Sequence, residues 1–256
     1  MIVRERQNAY IMIEQDHHAH ISAKMAAGLK DSFFSGKMFK PSVLYAIEKH
    51  DYAWKMIDKQ PFWNDRKQEP YMFTDFPNPA KTVFYQHGVD EVEKYDPYAA
   101  LLCSEHYTRF LQHDPEEESR LFVQRERKRQ VRIMQLLDDY DDNIFDIHYG
   151  LLQFFDGLSL YICMNEPGVT TENEHPFFKD GIPVSPSLPF FHNSKMHVFW
   201  KDEQTVVMDE FPFNNPIDII IQQKSVPKKA IAEKGVINSY LNAEVQQVYI
   251  CLVGEA

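Results

Sequence analysis

Four residues of this 256-residue chain combine types and settings that suit a buried cation: His18, His50, Asp51 and Asp156. Imidazole is a good ligand for transition metals and carboxylate for harder ions. His50 and Asp51 are adjacent in Lys49-His50-Asp51-Tyr52-Ala53-Trp54. Val43, Ile47, His50 and Trp54 recur at helical spacing, which places the doublet within an apolar helix. Neighbours on a helix diverge by about 100°, so both side chains reach one ion only if it sits in the wedge between them. Asp156 lies between Phe155 and Leu158 in the most apolar helical stretch of the chain. A carboxylate there is costly to bury unless it is paired or metal-bound. His17, His18 and His20 crowd the first helical segment. His18 shares a helical face with Ser22, Met25 and Leu29, which points it inward; His17 and His20 stay as alternatives. Inward ligands carried by three separate helices are what a metal site inside a bundle requires.

Other side chains could serve such a site. His106, on the side of Leu102 and Phe110, has an ordinary pKa near neutrality and could protonate a leaving group or contact a phosphate. A hydrogen-bonded core histidine is the alternative. Lys24 could reach a phosphate or be a solvated lysine. Gln153 is one turn before Asp156 and could bind water or substrate. Trp54, Tyr71 and Phe73 are stacking candidates that would serve equally as core. Asp58 either orients a ligating histidine or caps a helix end before Pro61. Cys163 reads as a packed thiol. The chain contains no GxGxxG, GxxxxGK[ST], CxxC, HExxH or GxSxG pattern, so phosphate-loop, zinc-finger, zincin and serine-hydrolase chemistry find no carrier.

The elements that must position these residues follow from periodicity and caps. Residues 2–13 read as a hairpin around Gln7-Asn8. A helix runs from Asp16 to about Leu29, residues 31–40 form a loop, and a second helix opens at Pro41-Ser42 and stops by Pro61. Residues 60–97, rich in proline and aromatics, read as one long loop suited to a lid. Asp96-Pro97 begins a third helix, Pro115-Glu116-Glu117-Glu118 a fourth, and residues 143–164 a fifth. The run Arg125, Arg127, Lys128, Arg129, Arg132 reads as a solvated helix face rather than a binding patch. Residues 166–195 form a loop-rich connector. Strand-like runs follow at residues 197–200, 205–208, 217–222 and 245–253, with the N-terminal hairpin as their partner. The expectation is an α+β, mainly α, single domain over residues 1–256. It is a helical bundle with a small antiparallel sheet made from both chain ends, residues 166–256 being a loop-rich and β extension packed on the bundle.

Composition sets the outer limits. Hydrophobic residues make up 44% of the chain, enough for a sizeable core, and the formal net charge is −11. That charge disfavours nucleic-acid and anionic-membrane partners but not a phosphorylated small molecule, because a metal supplies positive charge locally. Cys103, Cys163 and Cys251 are odd in number and far apart, which predicts a reducing, cytoplasmic setting. The charged start Arg4-Glu5-Arg6 is unlike a signal peptide, and no apolar run approaches the roughly 20 residues of a membrane helix.

The order His18 … His50-Asp51 … Asp156 resembles the HD-domain superfamily of metal-dependent phosphohydrolases. Several stretches also resemble an uncharacterised bacterial family distantly similar to it. They are Gln15-Asp16-His17-His18-Ala19; His50-Asp51 with Trp54, Asp58 and Pro61; Asp96-Pro97-Tyr98-Ala99-Ala100-Leu101-Leu102 with His106; and Leu152-Gln153 with Asp156, Leu158, Ser159, Leu160 and Cys163. The closer likeness spans roughly residues 1–165. It implies an HD-like bundle in which His18, the histidine directly preceding Ala19, joins His50, Asp51 and Asp156 on one divalent ion (Mn, Fe, Zn, Ni or Mg). It implies hydrolysis of a small phosphate ester or nucleotide by a metal-activated water. His106 would be catalytic, and Lys24, Trp54 and Gln153 would contact substrate. The alternative is a non-catalytic, metal-stabilised ligand-binding or sensing module. HD enzymes often carry a catalytic Glu or Lys three residues after the doublet's aspartate; here that place holds Trp54.

Overall fold

The computed structural model describes residues 1–255. Strands β1 (Ile2–Glu5) and β2 (Ala9–Ile13) form the N-terminal hairpin, with Ile2 opposite Ile13. Helix α1 (Gln15–Ala27) follows at once, and α2 (Lys40–Lys49) comes after two single 3-10 turns. The second helix does not run through the doublet to Pro61. It ends at Lys49; Asp51 leaves helical geometry at φ −113°, ψ 19°; a 3-10 turn covers Tyr52–Trp54, and a one-turn helix α3 spans Lys55–Asp58.

The segment expected to be one loop contains a minimal hairpin, β3 (Trp63–Asn64) with β4 (Glu69–Pro70), and then a full helix, α4 (Asn78–Glu93). Pro79 sits in its first turn, where a missing N–H costs nothing. Its inward face is Lys81, Thr82, Tyr85, Gly88, Val89 and Val92. Polar and small residues hold half of that face, which dilutes the apolar signal.

Helix α5 (Pro97–Leu111) is capped by Asp96, whose carboxylate accepts from the Ala99 N–H at 2.9 Å. Helix α7 (Asp142–Met164) is capped in the same way by Asp141 and Ile144 N–H. Between them α6 (Glu117–Leu136) carries the basic run, and here the expectation of a wholly solvated face is corrected. Arg129 is buried and paired with Asp90, Glu93 and Glu126, and Arg127 reaches Glu105.

The C-terminal third holds a short pair, β5 (Ile182–Pro183) with β6 (Lys195–Met196), and then β7 (Val198–Asp202), β8 (Thr205–Met208), β9 (Ile217–Pro227), α8 (Lys228–Asn242) and β10 (Val245–Gly254). Both chain ends do share one sheet, but it is six-stranded and mixed rather than small and antiparallel. Its order is β1-β2-β9-β10-β8-β7, with β10 parallel to β8. The fold is α+β. Residues 10–13 of β2 are buried throughout, because the sheet is covered on both sides there. Tyr10 and Met12 pack with Val226, Ile231 and Tyr240 beneath α8, while Ile13 belongs to the main core. That main core takes in Ile2 and Leu252 along with the helices' apolar faces.

Candidate metal centre

Helices α1, α2, α5 and α7 meet in the core, and each brings a side chain to one cluster: His18, the His50-Asp51 doublet, His106 and Asp156. His18 and His50 are fully buried, His106 and Asp51 nearly so. The ring centroids of His18 and His50 lie 5.0 Å apart, and those of His50 and His106 5.1 Å, both edge to face. Donor atoms of His18, His50 and Asp51 lie within 4.8 Å of one another, as do those of His50, His106 and Asp156. His50 belongs to both groups.

The doublet sits where it does because the helix stops. The His50 Nδ1–H donates to the Ile47 carbonyl at 2.7 Å, closing off a carbonyl that the terminating helix leaves without a partner. The chain then turns, and His50 and Asp51 face one point without the divergence a continuous helix imposes.

That hydrogen bond fixes the chemistry of the other nitrogen. With the proton on Nδ1, the neutral ring presents a lone pair at Nε2. Nε2 is buried without a hydrogen-bond partner and lies 3.4 Å from Asp156 Oδ1. A lone pair facing a carboxylate oxygen is repulsive unless a proton or a cation lies between them. Metal-ligating histidines commonly donate their remote N–H to a backbone carbonyl in this manner. His18 is similarly held: Nδ1 contacts Ser159 Oγ at 2.8 Å, and Nε2 contacts Asp51 Oδ2 at 2.8 Å. Gln15 Nε2 donates to the same Asp51 oxygen at 2.9 Å. Three imidazoles and two carboxylates in two overlapping groups that share His50 fit a divalent transition metal.

Without a cation, the cluster's electrostatics place a proton in that gap. Burial pulls His50 down, but the carboxylates of Asp156 and Asp51 outweigh it and raise its pKa to about 9. Burial pushes Asp156 up, and His50 with the neighbouring imidazoles reverses this, holding it at about 2. Asp51 is lowered for the same reason, His18 outweighing burial. At His106 the same carboxylates only partly offset burial, which drops it to about 4, so its ring is neutral at pH 7.

Two cavities flank the cluster, sharing His106, Phe110 and Asp156 as a common wall. One, of about 460 Å³, is also lined by Asp51, Trp54, Lys81 and Phe177. The other, of about 500 Å³, is lined by Arg109, Tyr149, Gln153 and Ser185. Both volumes are in the range of small-molecule sites.

The structure therefore brings together His18, His50, Asp51, His106 and Asp156. Trp54 is a buried wall of the first cavity, edge to face with Phe76 and Tyr85. Gln153 is exposed at the second. Lys24 is exposed on α1 and lines neither cavity. The choice among the first histidines resolves by position: His17 Nε2 accepts from the Gln222 N–H, and His20 is solvent-facing beside Asp16 and Glu48. Asp58 accepts from the Met1 ammonium and the Gln15 N–H, so it anchors the start of α1 rather than orienting a histidine. Tyr71 lies outside both cavities, against Phe76, whereas Phe73 lines the first. Sequence reasoning gave no role to Gln15 or Ser159, although Ser159 is one turn beyond Asp156. It also missed Lys81, hidden in a segment read as loop.

No helix of the described residues is long and apolar enough to cross a membrane. No curated protein and no solved structure matches the chain. Residues 1–228 match a family model described as "Protein of unknown function (DUF3891)". That span carries every residue of the cluster, and the chain belongs to this family.

Proposed function

We propose that this chain is a metal-dependent hydrolase of small phosphate esters, with His18, His50, Asp51 and Asp156 as ligands to one divalent ion. The observation that carries the reading is the convergence at His50: its buried Nε2 lies 3.4 Å from Asp156 Oδ1, a gap that a proton or a cation fills, and the ring belongs to both groups of donor atoms lying within 4.8 Å of one another. The order of the four residues along the chain, like that of the HD-domain superfamily, supports the same assignment. A divalent ion held there supplies Lewis acidity to a phosphoryl oxygen and acidifies water.

The chain's own residues do the rest. Gln15 and Ser159 fix the orientation of Asp51 and His18. His106, neutral at pH 7 and facing both cavities, is in the protonation state that accepts a proton from attacking water. Trp54, where HD enzymes often have an acid or base, offers an apolar wall against which a base or sugar ring can lie.

The test is elemental analysis of protein purified without a histidine tag, then p-nitrophenyl phosphate and nucleotide turnover by wild type and Asp51→Ala. Roughly stoichiometric metal and activity lost in the variant are expected. Less than about a tenth of an equivalent of metal, with none taken up on titration, sinks the site. Metal without turnover of any phosphate ester would leave a ligand-binding module in place of an enzyme. Equal turnover by both proteins removes these ligands from the reaction.

A further inference from the structure

Lys81 stands apart from every other buried cation in this chain. It is 7% exposed, yet its ammonium makes no ion pair and no hydrogen bond among the described residues. Arg4 and Arg129, buried to a similar degree, are each held by acceptors. Burying a lysine side chain without a partner for its ammonium is costly, and a chain with a net charge of −11 has no shortage of carboxylates to pair it. The two that influence it most, Asp75 and Asp114, are already engaged: Asp75 with Lys67 and the Met72 N–H, Asp114 with Asn78 and Ser119. Burial lowers the lysine's pKa, and these acids only partly restore it.

Its surroundings give the missing partner a place. Lys81 lines the 460 Å³ cavity that Asp51, His106 and Asp156 also line. It lies in the first turn of α4, a 16-residue helix whose N-terminal residue Asn78 lines the same cavity. The helix dipole favours negative charge at that end. The remaining wall includes Trp54, Phe73, Phe110 and Phe177, an apolar slot between one positive site and the metal cluster.

We propose that Lys81 and the N-terminal turn of α4 bind the anionic group, phosphate or carboxylate, of a small organic anion that fills this cavity. The substrate class is thereby narrowed to an anion with an apolar or aromatic body. The proposal rests on the metal-centre reading for the fate of the ligand's other end. The anion subsite itself needs no metal.

The test uses EDTA-treated full-length protein, so that failure of the metal site cannot mask it. Inorganic phosphate and malonate are titrated calorimetrically into wild type, Lys81→Met and, as a control, Lys24→Met. Saturable binding by wild type and Lys24→Met is expected, weakened about tenfold or more in Lys81→Met. The tighter of the two probes names the anion class. Lys81→Met should fold, since it removes an unpaired buried charge. Should it not, acetylation of Lys81 in wild type by acetic anhydride, read by mass spectrometry, must slow several-fold when phosphate is present. Absence of saturable binding of either anion by wild type, equal affinity in Lys81→Met, or acetylation indifferent to phosphate each overturns the proposal. Loss of metal in Asp156→Ala with anion binding retained would separate this subsite from the metal centre.

Discussion

Gly88 of α4 lies directly against Ala53, two residues beyond Asp51. A Cβ built on Gly88 would sit 2.8 Å from the Ala53 Cβ and 3.0 Å from its Cα and backbone nitrogen. Backbone atoms cannot rotate aside. Gly88→Ala therefore forces α4 away from the turn that carries the doublet. Helix propensity favours alanine by about 1 kcal/mol, and overpacking costs about 1–3 kcal/mol. We expect a net loss of up to about 2 kcal/mol in urea unfolding, together with weaker metal uptake. Unchanged stability and uptake would mean that α4 does not brace the site.

Metal should stabilise the fold in proportion to its affinity. At a free concentration one hundred times Kd the gain is about 2.7 kcal/mol, which raises Tm by several degrees for a chain of this size. Asp156→Ala should abolish the shift. Ser159→Ala, which removes the contact to His18 Nδ1 along with those to Ser22 Oγ and the Asp156 carbonyl, should keep it while weakening affinity by about tenfold or more. Calorimetric scans with Mn, Zn and EDTA decide this. A shift that survives Asp156→Ala would place the metal elsewhere.

Away from the cluster, acid should act in part through His148. Its Nε2–H donates to the Ser35 carbonyl at 2.9 Å, and Nδ1 accepts from the Tyr98 hydroxyl at 2.7 Å. Both nitrogens are satisfied only in the neutral ring. Burial holds its pKa below the ordinary 6.5, although the bond to Ser35 opposes this. Because the folded-state pKa is depressed, its stabilising contribution is complete above the unfolded value near 6.5. It is lost as pH falls from there through the folded pKa. The loss proceeds at no more than about 1.4 kcal/mol per pH unit. Urea midpoints measured from pH 7.5 downward should fall for wild type and fall less for His148→Gln. Parallel curves would exonerate His148.

Arg129 ties α6 to α4 through Asp90 and Glu93 while pairing with Glu126 on its own helix. Arg129→Met leaves buried Glu126 without a cation, while Asp90 keeps Arg125 and Glu93 keeps Arg132. Breaking a buried pair costs about 3–5 kcal/mol. The low end is expected here, because Asp90 is more than a third exposed. A change under about 1 kcal/mol would mark the network as a surface one.

The sequence shows most clearly what periodicity and caps encode. The N-terminal hairpin, the Asp96-capped α5, the apolar α7 and strand β8 all stand where alternation, Pro and Asp place them. Helix α4 does not announce itself, because Lys81, Thr82 and Gly88 occupy inward positions that usually hold apolar residues. Helix α8 is interrupted at Gly235, with φ 77°, and buries few side chains. The end of α2 has no glycine or proline to mark it; the break is made by His50 turning its ring onto Ile47. Cluster membership of His18, His50, Asp51 and Asp156 is legible because charged residues in apolar helices need partners. The partners Gln15 and Ser159 are not, since uncharged polar residues carry no comparable penalty to flag them.

The sheet order also sets a timetable. β2 joins the rest of the sheet only through β9, which ends at residue 227. Helix α1 leaves β2 almost at once, so His18 stands five residues from a strand whose partner is made some two hundred residues later. Closing so long a loop is entropically slow. On a ribosome, the first histidine of the cluster to emerge is thus held in reserve. The helices α2, α5 and α7 can gather around His50, His106 and Asp156 beforehand, but α1 gains its sheet-side support only once β9 has been synthesised.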